Sequence, residues 1–201
     1  MTVNIAGTEI RFSFSFALVL TLMLLFCRQD IVLICTASSM LHECGHLIFM
    51  KIFGEGVMCV DFGAFGVRIE RQNKQLLSYK KECFIALGGI IINFLLAFLS
   101  IIYYYLMKSQ QALMFSLINI FIAGFNCVPI AVLDMGRALK CRFLMSYDED
   151  KSERLLGLVS LVFVNFLAVF CCVYTAFISV NFSLIAVTAY LYVITLFKKW
   201  S

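Results

Sequence analysis

The sequence predicts an all-α polytopic membrane protein. Three observations carry that prediction: 63% of the 201 residues are apolar and only 14% charged, the apolar residues gather into long runs, and a single proline interrupts them. Soluble domains average roughly half apolar and a quarter charged, so an ordinary water-facing surface is excluded. The same composition excludes disorder, fibrous repeats and a secreted disulfide scaffold. Each crossing takes about 20 mostly apolar residues, which leaves room for about six helices once connections are allowed for.

The first stretch covers about residues 12–27. It could pass for a secretory signal, but Cys27-Arg28-Gln29-Asp30 follows it where a small-residue cleavage pattern would stand, so it is read as a retained helix. The second, about 31–53, contains both histidines of the chain. The third (about 83–107), fourth (111–133), fifth (155–177) and sixth (180–197) follow, with polar connections at 54–82 and 134–154. Within the first connection, Val57 to Phe62 and Val67 to Glu70 flank Gly63-Ala64-Phe65-Gly66, which predicts a β-hairpin between helices 2 and 3. Its apolar content predicts association with the membrane, where non-helical backbone is buried in protein or lines a wet cavity. No repeat or low-complexity tract divides the chain, so residues 1–201 are expected to form one integral membrane domain.

Orientation follows from the basic residues, because cytoplasmic loops collect Lys and Arg. With a cytoplasmic N-terminus and six crossings, only Arg28 and Lys108 of the 16 Lys and Arg face outward. Both termini are therefore expected on the cytoplasmic side. The nine cysteines lie mostly inside apolar runs and form no Cys-x-x-Cys pair, so they read as packing residues and not as a disulfide framework or zinc ribbon.

Chemistry concentrates in His42-Glu43-Cys44-Gly45-His46. Histidines four apart on a helix leave from one face and can hold one metal ion, while Glu43 can reach a water on that ion as general base. Zinc suits neutral imidazole and needs no redox chemistry. A haem is excluded, since two histidines one turn apart cannot take opposite axial positions. A catalytic zinc with one open position needs a third protein ligand. Asp61 and Glu70 lie in the hairpin, Asp30 at the opposite side, and Asp148 to Asp150 in a charge run. Asp134 differs: it closes the fourth stretch just after Pro129, which breaks or kinks a helix. Both the inner half of the second stretch and the end of the fourth approach the cytoplasmic side.

Three blocks of this chain resemble the site-2 proteases, intramembrane zinc metalloproteases, and within them the stage IV sporulation protein FB group. They are His42 to His46, Leu87-Gly88-Gly89-Ile90-Ile91-Ile92-Asn93, and Asn126-Cys127-Val128-Pro129 through Asp134 to Arg137. The resemblance implies six helices around a three-helix catalytic core, and one Zn2+ per chain on His42, His46 and Asp134. It implies Glu43 as the catalytic base, and Asn126, Pro129, Gly88, Gly89 and Asn93 on the substrate side. By their own chemistry, the glycines also suit close helix packing and Asn93 an interhelical hydrogen bond. The chain departs from the family pattern at Val132, Met135 and Gly89, and it is expected to do without the nucleotide-binding CBS domain of the sporulation proteases.

The function so implied is regulated intramembrane proteolysis in a bacterial cytoplasmic membrane. The enzyme would cut a membrane-associated regulatory protein near the cytoplasmic leaflet, within lipid, with no nucleic acid partner. A membrane regulator or a homo-oligomer would be its further partners. The competing readings are a non-proteolytic zinc transporter or sensor, and an inactive family member.

Overall fold

The computed structural model describes residues 2–5, 8–63, 66–71 and 77–198. The chain divides into two compact units, one made of Met1–Leu77 with Gly88–Gly124 and the other of Ser78–Leu87 with Phe125–Ser201.

The first unit begins with strands β1 (Thr2–Ile5) and β2 (Thr8–Phe12), followed by α1 (Phe14–Phe26) and α2 (Gln29–Ile52). Strands β3 (Val57–Gly63) and β4 (Gly66–Arg71) come next, then α3 (Tyr79–Met107), which belongs to this unit from Gly88 onward, and α4 (Gln110–Asn126). The strands form one sheet in the order β1-β2-β3-β4. β2 pairs parallel with β3, Ile10 opposite Val60, while β3 pairs antiparallel with β4, Asp61 opposite Arg68. This corrects the all-α expectation: helices dominate, but the N-terminal residues are strands. Two runs of four and five residues carry too little local pattern to announce themselves, and their partner strand lies far along the chain. The central turn residues expected at Ala64 and Phe65 lie outside the described residues, as do Lys74 and Lys199 of the basic-residue count.

α1 is capped by Ser13, whose Oγ accepts from the Ser15 N–H at 3.2 Å. With 13 residues it is about 20 Å long. α2 buries Val32, Ser38, His42, Gly45, His46 and Met50, a stripe at spacings of three, four and six that keeps one helical face inward. It stops at Gly54, whose φ of 79° lies in the left-handed region that glycine adopts without penalty. α3 meets α2 at glycines: a methyl on Gly45 would lie 2.5 Å from the Gly88 carbonyl oxygen. α4 is tied to both partners. The Ser116 hydroxyl donates to the Ala97 carbonyl at 2.9 Å, and the Asn119 amide donates to Ser38 Oγ at 3.0 Å.

The second unit contains the start of α3, then α5 (Asp134–Leu144), α6 (Glu149–Phe177) and α7 (Phe182–Lys198). Its core is Ile130, Val164 and Leu191, with Phe125, Val128, Leu133, Leu167 and Tyr192 packed around it. The fourth apolar stretch was expected to run as helix to residue 133, but α4 ends at Asn126. Pro129 has no N–H to give a helix, and it biases Val128 away from helical backbone. The chain crosses 127–133 as turns, with the Leu133 N–H donating to the Ile130 carbonyl at 2.9 Å. The connection expected at 134–154 is itself helical through α5 and the first turns of α6.

Among the described residues, α2, α3 and α6 are long and apolar enough to cross a membrane, while α1 and α7 are shorter apolar helices. Their exposed faces carry large apolar side chains such as Phe26, Phe98 and Phe166, which suits contact with lipid and not with water.

Candidate metal centre

α2 presents His42 and His46 from its inward stripe, each about 5% exposed. Their rings meet edge to face, with centroids 5.0 Å apart, and the two Nε2 atoms lie 3.3 Å from each other. That separation is informative. Two nitrogens at about 2.0–2.1 Å from a tetrahedral zinc are about 3.3–3.4 Å apart. Both Nε2 atoms therefore already face a common point at the spacing one ion requires.

Gly89 of α3 forms the backstop of the pair. A methyl group there would lie 2.5 Å from His42 Nε2 and 2.7 Å from His46 Nε2. Only a glycine allows the α3 backbone to approach the imidazoles this closely. Gly88, one residue earlier, is the residue that packs on Gly45 of α2. The two glycines thus have different neighbours, one the helix backbone and one the histidine rings.

Asp134 opens α5 and is 7% exposed. Its Oδ1 lies 3.7 Å from an Arg137 guanidinium nitrogen one turn on. The backbone around it is tightly built. Gly136 sits against the Ile130 carbonyl so closely that any Cβ would overlap it. The Ala131 N–H donates to the fully buried Ser160 hydroxyl of α6 at 3.0 Å. Ile130, Gly136 and Ser160 therefore fix the seven-residue path from the end of α4 to Asp134.

His42, His46 and Asp134 are all buried, and each offers one ligand atom to a possible metal site. Two neutral imidazoles and a carboxylate are a donor set that zinc accepts and that leaves a fourth position for water or substrate. The residues fit the metal that the His-Glu-x-x-His spacing anticipates.

The remaining sequence candidates fall around this group in different ways. Glu43 is half-buried on the same turn of α2 as His42. Asn126 ends α4, and Pro129 lies in the break that follows; both are half-buried. Asn93 is fully buried one turn beyond Gly89, and neither its amide nitrogen nor its amide oxygen has a hydrogen-bond partner among the described residues. Gly136 and Ser160 were missed by sequence reasoning. Gly136, two residues after a candidate ligand, carried a legible signal; Ser160, 29 residues from its partner, carried none.

No family model matches the chain, and no curated protein matches it. Among solved structures it is similar to the site-2 protease from Methanocaldococcus jannaschii, with a TM-score of 0.68 at 19% identity over 98% of this chain and 94% of that one. At that identity the likeness is one of fold: the chain shares the architecture of that protease over nearly its whole length.

Proposed function

We propose that this chain is an intramembrane zinc metalloendopeptidase that cuts a membrane-associated regulatory protein near the cytoplasmic leaflet. The observation that carries the reading is the buried His42–His46–Asp134 group, with an acidic residue beside its first histidine, on a fold shared with a site-2 protease. A buried pair of imidazoles beside a carboxylate in a membrane protein is costly unless it serves a function.

His42, His46 and Asp134 hold one zinc ion, which when bound acidifies water and polarises a carbonyl. Glu43 removes the proton from the attacking water as its oxygen bonds the scissile carbonyl carbon. As the C–N bond breaks, Glu43 returns that proton to the leaving amine nitrogen. An Arg137 guanidinium nitrogen lies 3.7 Å from Asp134 Oδ1, beside the ligand carboxylate. Asn126 and Pro129, at the break before Asp134, face the substrate side.

A substrate helix hides its amides in its own hydrogen bonds and must be opened before cleavage. β4, the end strand of the sheet, offers an edge on which an unwound segment can pair. With six crossings and both termini cytoplasmic, His46 lies about 9 Å inside the inner leaflet, six residues before the end of α2. Water then enters from the cytoplasm.

The test is co-expression with candidate membrane-anchored regulators in a bacterial membrane, wild type against Glu43→Gln. Cleavage by the wild type and none by a variant that retains its zinc supports the mechanism. Cleavage that survives Glu43→Gln removes it.

A further inference from the structure

The second unit contains a half-open cavity of about 760 Å³ between α5, α6 and α7, within the range of small-ligand sites. Its walls change character in one direction along α6. Asp150, Glu153 and Arg154 stand at the mouth, with Lys140 from α5 opposite. Leu156, Leu158 and Ser160 follow deeper, and Ile194 closes the cavity from α7. From Asp150 to Ser160 is about 15 Å of helix, half the roughly 30 Å hydrocarbon thickness of a bilayer. The cavity is charged at one end and mostly apolar beyond it.

Gly157 leaves one wall of the cavity bare. It lies in the middle of α6 and lines the opening, yet nothing comes within 4 Å of where its Cβ would be. Gly45, Gly88, Gly89 and Gly136 each face a backbone or ring that excludes a side chain; Gly157 faces open space. A mid-helix glycine is unfavourable relative to alanine, and here it is not repaid by close packing. What it leaves is room.

The mouth carries two cations and two anions, with Lys140 Nζ and Glu153 Oε1 2.7 Å apart and Asp150 and Arg154 exposed beside them. A ligand that suits it has both signs in its polar end and a long apolar tail. An anionic headgroup would set its phosphate against both carboxylates. A quaternary ammonium has no N–H to donate to them. A primary ammonium with a phosphate satisfies both, the phosphate meeting Arg154 and Lys140, the ammonium meeting Asp150 and Glu153.

We propose that this cavity is a binding site for one aminophospholipid of the phosphatidylethanolamine type, with its headgroup among Lys140, Asp150, Glu153 and Arg154 and an acyl chain along Gly157. The site rests on the membrane setting of α6 and is independent of the protease reading.

The test is native mass spectrometry of the detergent-purified full chain with an equimolar mixture of phosphatidylethanolamine, phosphatidylcholine and phosphatidylglycerol. The expected result is one retained phosphatidylethanolamine per chain, favoured about tenfold over the other two. Gly157→Ala leaves the groove open and keeps the lipid. Gly157→Leu, whose Cβ enters open space, projects into it and lowers retention about tenfold, with helix content and monodispersity unchanged. Arg154→Ala, which leaves the fold untouched, lowers retention as well. Three results overturn the proposal: no retained lipid on the wild type, preference for phosphatidylglycerol or phosphatidylcholine, or full retention in Gly157→Leu.

Discussion

Replacing Gly89 with alanine places a methyl carbon 2.5 Å from His42 Nε2 and 2.7 Å from His46 Nε2. Ordinary contact begins at about 3.5 Å, so each ring must retreat by about 1 Å or α3 must withdraw from α2. Withdrawal is opposed by the Gly45–Gly88 backbone contact one residue away. Zinc ligands tolerate displacements of about 0.2 Å, so a retreat of about 1 Å takes both nitrogens out of bonding range. The expected loss in zinc affinity is at least about 100-fold, or about 2.8 kcal/mol. Chelator competition on the purified protein, followed by elemental analysis, measures it. Gly124→Ala is the matched control, because nothing lies within 4 Å of its Cβ position on α4. A Gly89→Ala protein that binds zinc within about threefold of wild type refutes the placement of the histidines against α3.

Ser160→Ala removes the acceptor of the part-buried Ala131 N–H, which costs about 1 kcal/mol. The thermal midpoint in detergent should fall by about 2–4 °C per kcal/mol, and Ser160→Thr, which keeps the hydroxyl, should restore most of it; an unchanged midpoint in Ser160→Ala would contradict the reading. Asn93→Leu replaces a buried amide with no partner among the described residues by an apolar group of similar size. It should leave the midpoint unchanged or raise it, because unpaired buried polar groups destabilise; a fall of several degrees would show that the amide is hydrogen-bonded in the folded protein.

The metal group was legible because two of its three members obey a helical rule. His42 and His46 are four apart in an apolar run, and a helix there leaves them no choice but one face. Asp134 was legible through Pro129, since the only proline of the chain had to open the fourth stretch somewhere before it. The form of that opening was not legible. A kinked helix ending at Asp134 and a turn segment followed by a new helix are both compatible with one proline, and the structure has the second. The N-terminal strands were invisible for a different reason: β2 is held by β3, nearly fifty residues away, and local patterning contains no term for a distant parallel neighbour. Gly89 was identified as a site residue but for a role on the substrate side, whereas its observed neighbours are the imidazoles. Ser160 had no local mark at all, because its importance lies in a hydrogen bond to another element.

The central claim is that His42, His46 and Asp134 hold one zinc ion, and its most direct measurement is X-ray absorption at the zinc edge on purified Glu43→Gln, compared with Asp134→Ala. The account predicts one zinc per chain in Glu43→Gln, with nitrogen and oxygen scatterers at about 2.0–2.2 Å and an imidazole signature for two histidines. It predicts that Asp134→Ala loses most of the metal and the light-atom scatterer that the carboxylate provides. Stoichiometric zinc with an unchanged spectrum in Asp134→Ala, or purified protein whose zinc shows no histidine signature, would contradict it.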